Sequence, residues 1–167
     1  IEVTALATAG QGGRSDAVLY LRRELDTYKG TSIVERLNKN VNLLSLEGTP
    51  ALPVDSQKWI GAAPPALATL KGRPVIIYLW AHWCPDCKAQ GPVLEALLEK
   101  YKSTGLTLVA PTKFYGYVAK REPAGPDVEL TYLTGIRDSV YPWMKSVPVP
   151  ISEQIFAQYG VSTTPTL

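Results

Sequence analysis

Apolar residues recur at helical intervals over the first fifty positions. Ala17, Leu21, Leu25 and Tyr28 share one face of Ser15–Lys29, with Arg22, Arg23, Glu24 and Asp26 on the others, which predicts an amphipathic helix. Gly30 suits its stop. Ser32 to Glu35 has the form of a capping box, and Val34, Leu37, Val41 and Leu44 carry a second helical stripe towards Gly48 and Pro50. Ile1–Arg14 is small and polar, with Gly10, Gly12 and Gly13, and is expected to be a loose leader. Residues 1–50 are thus a helical N-terminal extension, either a packing appendage or a face for a partner, and residues 51–167 form a separate domain.

The pattern then changes. Leu52–Pro65 is proline-rich and extended, with a short hairpin expected around Val54–Ile60, and Ala66–Leu70 suits a brief helical turn. Val75–Trp80 is an unbroken apolar run bounded by Gly72 and Pro74, as in a central strand buried on both faces. Helical spacing returns over Cys87–Tyr101 in Val93, Leu94, Leu97, Leu98 and Tyr101. Leu106–Ala110 follows as a second buried strand. Strand, helix, strand in that order implies a parallel pair with a right-handed crossover. Pro111–Pro126 is expected to be a loop. Asp127–Val140 is expected as a helix with Val128, Leu133, Ile136 and Val140 inward, ended by Pro142. The prolines of Val147–Ile151 suit an edge or a loop better than a central strand. Ser152 can cap a short helix to Tyr159, closed by Gly160. The fold class is α/β.

Composition narrows the function classes. The 167 residues carry a net charge of +2 and no basic run, which argues against nucleic acid as a partner. No segment has the apolar length of a membrane span. The two cysteines lie in one motif, so there is no structural disulfide framework. Structural zinc takes four ligands, whereas the chain holds two cysteines and one histidine.

Cys84 and Cys87 follow the apolar run directly, with Pro85 and Asp86 between them. A cysteine at the start of a helix meets unpaired N–H groups and the positive end of the helix dipole, which favours thiolate over thiol. The second sulfur, one turn on, is within disulfide reach, so the pair can cycle between dithiol and disulfide. Such chemistry requires Cys84 to be reachable from solvent. Pro85 fixes the first helical turn. Asp86 suits the helix N-terminus, but its charge opposes ionisation of Cys84 and is expected to make the protein less oxidising than a basic residue would. His82, the only histidine, could stabilise the thiolate when protonated, although an exposed loop position is the plainer expectation. Trp80 is assigned to the core.

Trp83-Cys84-Pro85-Asp86-Cys87 after an apolar strand, with Pro92 five residues later, resembles the thioredoxin superfamily. Thr163-Thr164-Pro165-Thr166-Leu167 resembles that superfamily's cis-proline loop. Gly61–Pro64 and Leu70–Pro74 are similar to its TlpA/ResA-like branch, bacterial extracytoplasmic thiol:disulfide oxidoreductases. The resemblance covers about Trp59–Leu167. It implies a thioredoxin-like fold, a central mixed sheet flanked by helices, whose last two strands and final helix would lie beyond Leu167. It implies Cys84 as nucleophile and Cys87 as resolving thiol, with Trp83, Pro85, Thr164 and Pro165 contacting substrate. The implied partners are protein thiols or disulfides and an upstream thiol reductant. No organic cofactor or metal is implied, and the location is periplasmic or otherwise extracytoplasmic. Two positions depart from the pattern. Tyr78 stands where thioredoxins carry a buried aspartate, and Gln90 where ResA-like proteins carry a glutamate. His82, Asp86, the Tyr78 hydroxyl or a water are the candidates for the missing proton acceptor. The competing readings are a non-catalytic interaction module and, disfavoured for want of its threonine-bearing cysteine segment, a thiol peroxidase.

Overall fold

A computed structural model describes all residues, Ile1–Leu167. They divide into two compact units, one of Ile1–Leu52 with Ala157–Ser162, the other of Pro53–Phe156 with Thr163–Leu167.

The first unit holds three helices, α1 (Glu2–Gly10), α2 (Arg14–Thr27) and α3 (Val34–Ser45). The expected leader is therefore a helix. Ala5 points into a core with Ala17, Leu21, Leu37 and Val41, so its small residues allow close approach rather than looseness. The expected capping box does not form: Ile33 is the N-cap of α3, and no side chain caps that helix. Asn42 of α3 donates to the Ala157 carbonyl at 3.1 Å. Gly160 has φ +66, and a Cβ there would lie 2.7 Å from the Lys39 carbonyl oxygen. Only glycine meets both the left-handed backbone and that approach.

The second unit is built on a sheet. Its strands are β1 (Trp59–Ile60), β2 (Val75–Ile77), β3 (Thr107–Val109) and β4 (Val149–Pro150). β2 and β3 pair in parallel, Ile76 opposite Leu108, with α4 (Pro85–Lys100) in the crossover. β1 pairs antiparallel with β4, so Val54–Ile60 makes no local hairpin. The two pairs are joined beyond β3, where Ala110 and Thr112 donate to the carbonyls of Pro148 and Pro150 at 2.9 Å each. Val147–Ile151 thus runs between two neighbours rather than at an edge. Its prolines are accommodated because their carbonyls still accept. Pro150 has no N–H to give the Ala110 carbonyl, and the Trp80 indole donates to it instead, at 3.0 Å. At the far side of β2, Leu79 and Thr166 exchange backbone hydrogen bonds as an isolated antiparallel bridge.

Tyr78, Leu79 and Trp80 are buried just past the regular part of β2. Their core includes Leu94, Leu108, Leu133, Tyr141, Met144 and Val149. α4 turns Cys87, Gly91 and Leu94 inward, whereas Val93 and Tyr101, expected inside, are exposed. A Cβ at Gly91 would touch the Trp143 and Tyr141 rings, so a bare backbone there lets both pack on the helix. α5 (Pro126–Val140) buries Glu129, Leu133 and Arg137, and Val128 and Val140 face out. The last helix, α6 (Glu153–Gln158), has its first amide turn capped by Ser152, which accepts from the Ile155 N–H at 3.3 Å.

Candidate functional site

Cys84 and Cys87 form a disulfide, with Cα atoms 5.3 Å apart. Cys84 is the N-cap of α4 in an extended conformation, and its Sγ accepts from the Cys87 N–H at 3.1 Å. Pro85 occupies the first helical turn, where a missing N–H and a fixed φ cost nothing. The sulfur therefore lies where an N-cap oxygen ordinarily would, facing unpaired amides at the positive end of a 16-residue helix. When the disulfide opens, a negative charge on Cys84 meets a donor already in place.

The Thr164–Pro165 peptide is cis, and the Thr164 carbonyl oxygen is 3.4 Å from Cys84 Sγ. Chain positions eighty residues apart thus meet at one sulfur. Cys84 is only 2% exposed, so the expectation of a freely reachable sulfur is not met. Its Sγ is bonded to fully buried Cys87 and lies against the Thr164 carbonyl oxygen. Trp83 remains 49% exposed at the surface beside it.

The other predicted residues separate. Asp86 is exposed and Gln90 half-buried. Tyr78 is fully buried and its hydroxyl donates to the Cys87 carbonyl at 2.9 Å. Burial, with a smaller contribution from Tyr141, raises its pKa far above the ordinary phenol value. It is a fixed donor rather than a base at neutral pH.

His82 is not exposed as expected. It is 2% exposed and ringed edge-on by Tyr115, Tyr117 and Tyr132 at 5.3 to 5.5 Å. Its Nε2 lies 3.6 Å from Glu129 Oε1, too long for a hydrogen bond but close enough for charge attraction. Burial lowers the His82 pKa, and the Glu129 carboxylate opposes that shift without reversing it.

Glu129 escaped the sequence reading and is the only fully buried carboxylate. Its Oε1 accepts from the Tyr115 N–H at 2.6 Å and its Oε2 from the Gly116 N–H at 2.9 Å. Its signal was positional: Glu129, Leu133 and Arg137 follow at intervals of four on one helical stripe. No three His, Cys, Asp or Glu side chains come together as a metal site, and no helix is long and apolar enough to cross a membrane.

A parallel βαβ unit with a CxxC disulfide at its helix mouth, faced by a cis-proline, defines a thioredoxin-like domain. Residues 48–112 match the AhpC/TSA family. Over 102 residues the chain is 28% identical to the thiol-disulfide oxidoreductase ResA of Bacillus thuringiensis (strain Al Hakam), covering 60% of this chain and 50% of that relative. Over 44 residues it is 41% identical to ResA of Oceanobacillus iheyensis, covering 26% of this chain and 23% of that protein. The chain spans about half or less of the length of these curated relatives. In fold it is similar to a thiol-disulfide isomerase from Corynebacterium glutamicum, with a TM-score of 0.53 and 17% identity over 72% of this chain and 77% of the other. The chain thus has a thioredoxin-like fold and is similar over part of its length to the AhpC/TSA family and to ResA proteins.

Proposed function

We propose that this protein is a thiol:disulfide oxidoreductase acting on protein substrates, as a reductant outside the cytoplasm. The observation that carries the reading is Cys84 Sγ in the N-cap position of α4, bonded to Cys87 and facing the carbonyl ahead of the cis-proline. In the reduced protein the Cys84 thiolate attacks one sulfur of a substrate disulfide. An S–S bond forms to Cys84, the substrate S–S bond breaks, and one substrate thiolate leaves. The Cys87 thiolate then attacks Cys84 Sγ, forming the internal disulfide and releasing the second substrate thiolate. Two electrons pass to the substrate, whose thiolates take up protons. An upstream thiol reductant of the same chemistry regenerates the dithiol.

In this account Trp83, Pro85, Thr164 and Pro165 line the approach to Cys84. Substrate entry moves aside the cover over the sulfur at Thr164, whose side-chain oxygen is buried without a partner. No cofactor other than the disulfide takes part. The extracytoplasmic setting draws support from the likeness to ResA.

The burial of Cys84 favours a second reading, a non-catalytic module with a structural disulfide. Reduction of insulin by the full protein, with dithiothreitol as electron source, separates the two. Catalysed precipitation that disappears in Cys84→Ser supports the enzyme; equal rates with and without the protein support the module.

A further inference from the structure

A buried carboxylate is costly unless fully hydrogen-bonded, and Glu129 receives two consecutive backbone N–H groups of one turn, Tyr115 and Gly116. That turn follows β3 and carries the Tyr115 ring to an edge-on contact with Trp83, centroids 5.6 Å apart. Trp83 directly precedes Cys84 and is half exposed. The same carboxylate faces His82, which precedes Trp83. Glu129 thus ties the residues ahead of the redox cysteine to the turn that follows β3, the parallel neighbour of β2. An apolar residue in its place would take the carboxylate acceptor from both amides of this part-buried turn.

We propose that Glu129 is a positioning residue of the redox site: it fixes the Tyr115–Gly116 turn so that Tyr115 braces Trp83 beside Cys84, and the polypeptide flanking a substrate disulfide rests against this aromatic pair. The inference rests on the thiol-exchange reading and adds to it a class of substrate: disulfides carried in polypeptides with apolar side chains near the cysteines, in preference to small disulfides. Aromatic faces offer contact area at low conformational cost, and a small aliphatic disulfide does not reach them. The Tyr115 hydroxyl is buried without a partner, so the ring carries the contact.

The test compares two oxidised substrates of the full protein, insulin and hydroxyethyl disulfide. Glu129→Gln replaces one acceptor oxygen by an NH2 group facing an N–H donor. It is expected to raise KM for insulin with little change in kcat, lowering the ratio of kcat/KM for insulin to that for hydroxyethyl disulfide by about tenfold. Tyr115→Ala is expected to do the same, and Tyr115→Phe to retain the wild-type ratio. If Glu129→Gln does not fold, Tyr115→Ala and Tyr115→Phe decide. A folded Tyr115→Ala protein with an unchanged ratio overturns the inference while leaving the thiol-exchange reading standing. A wild-type protein that reduces neither substrate removes that reading, and this inference with it.

Discussion

The Trp80 indole donates to the Ala110 carbonyl at 3.0 Å, and the Thr112 hydroxyl donates to the Trp80 carbonyl at 2.9 Å. One side chain thereby completes a backbone ladder that Pro150 interrupts. Trp80→Phe leaves the Ala110 oxygen unsatisfied and opens a small void, and is expected to destabilise the domain by about 2–3 kcal/mol, measured as a lower urea midpoint at unchanged slope. Asp86 lies at the mouth of α4 in solvent, where its charge is expected to disfavour the Cys84 thiolate. Asp86→Lys is expected to lower the Cys84 pKa and raise the reduction potential by on the order of 10–20 mV, an effect that shrinks in high salt. A potential that falls, or that moves equally at high salt, would contradict the electrostatic account. The Cys84–Cys87 disulfide was legible because residue type and spacing place the two sulfurs one helical turn apart. His82 was not, because what buries it arrives from distant segments: Glu129, Tyr132 and the Tyr115–Tyr117 turn.

Among the elements, α4 and the β2–β3 pair are readable from periodicity, whereas the prolines of Val147–Ile151 point to an edge and the segment has a neighbour on each side. Proline cannot donate to a ladder, so its presence alone points to an edge. Here its carbonyls serve that ladder and a tryptophan makes up the missing donor, an arrangement that no local pattern announces. The inward faces of α4 and α5 also differ in part from the apolar stripe. Val93 and Val128 are apolar yet exposed, whereas Gly91 and Glu129 are inside. Hydrophobicity located the stripe, but the site displaced some of its members. In the first unit, Gly160 combines a positive φ with a 2.7 Å approach to the Lys39 oxygen. Gly160→Ala is expected to cost at least about 1–2 kcal/mol. Thermal unfolding reads this as a lower Tm, and an unchanged Tm would mean that the approach relaxes freely.

For the whole molecule, buried titratable groups set the pH limits of stability. Burial pushes the Tyr141 hydroxyl up to about 12, and Tyr78 and Tyr115 are also raised. In the unfolded chain these phenols ionise from about pH 10. Above that pH the unfolded state has lost protons that the folded state keeps, so stability falls as pH rises. His82 acts at the other limit. Its folded pKa is depressed, so below about pH 6.5 the unfolded chain gains a proton first and stability falls as pH falls. Urea midpoints across pH are expected to decline at both ends, and His82→Asn to flatten the decline just below pH 6.5. A variant with the wild-type acid profile would show that His82 is not held neutral.

In the proposed reaction Cys84 is the attacking sulfur and Cys87 the one that resolves. Its most direct measurement uses Cys87→Ser protein incubated with a disulfide-bonded polypeptide and analysed by intact mass under non-reducing conditions. The account predicts a stable adduct through Cys84, reversed by dithiothreitol and absent when Cys84→Ser is added. No adduct from the folded protein, or an adduct that forms as readily through Cys87 in the Cys84→Ser protein, would contradict it.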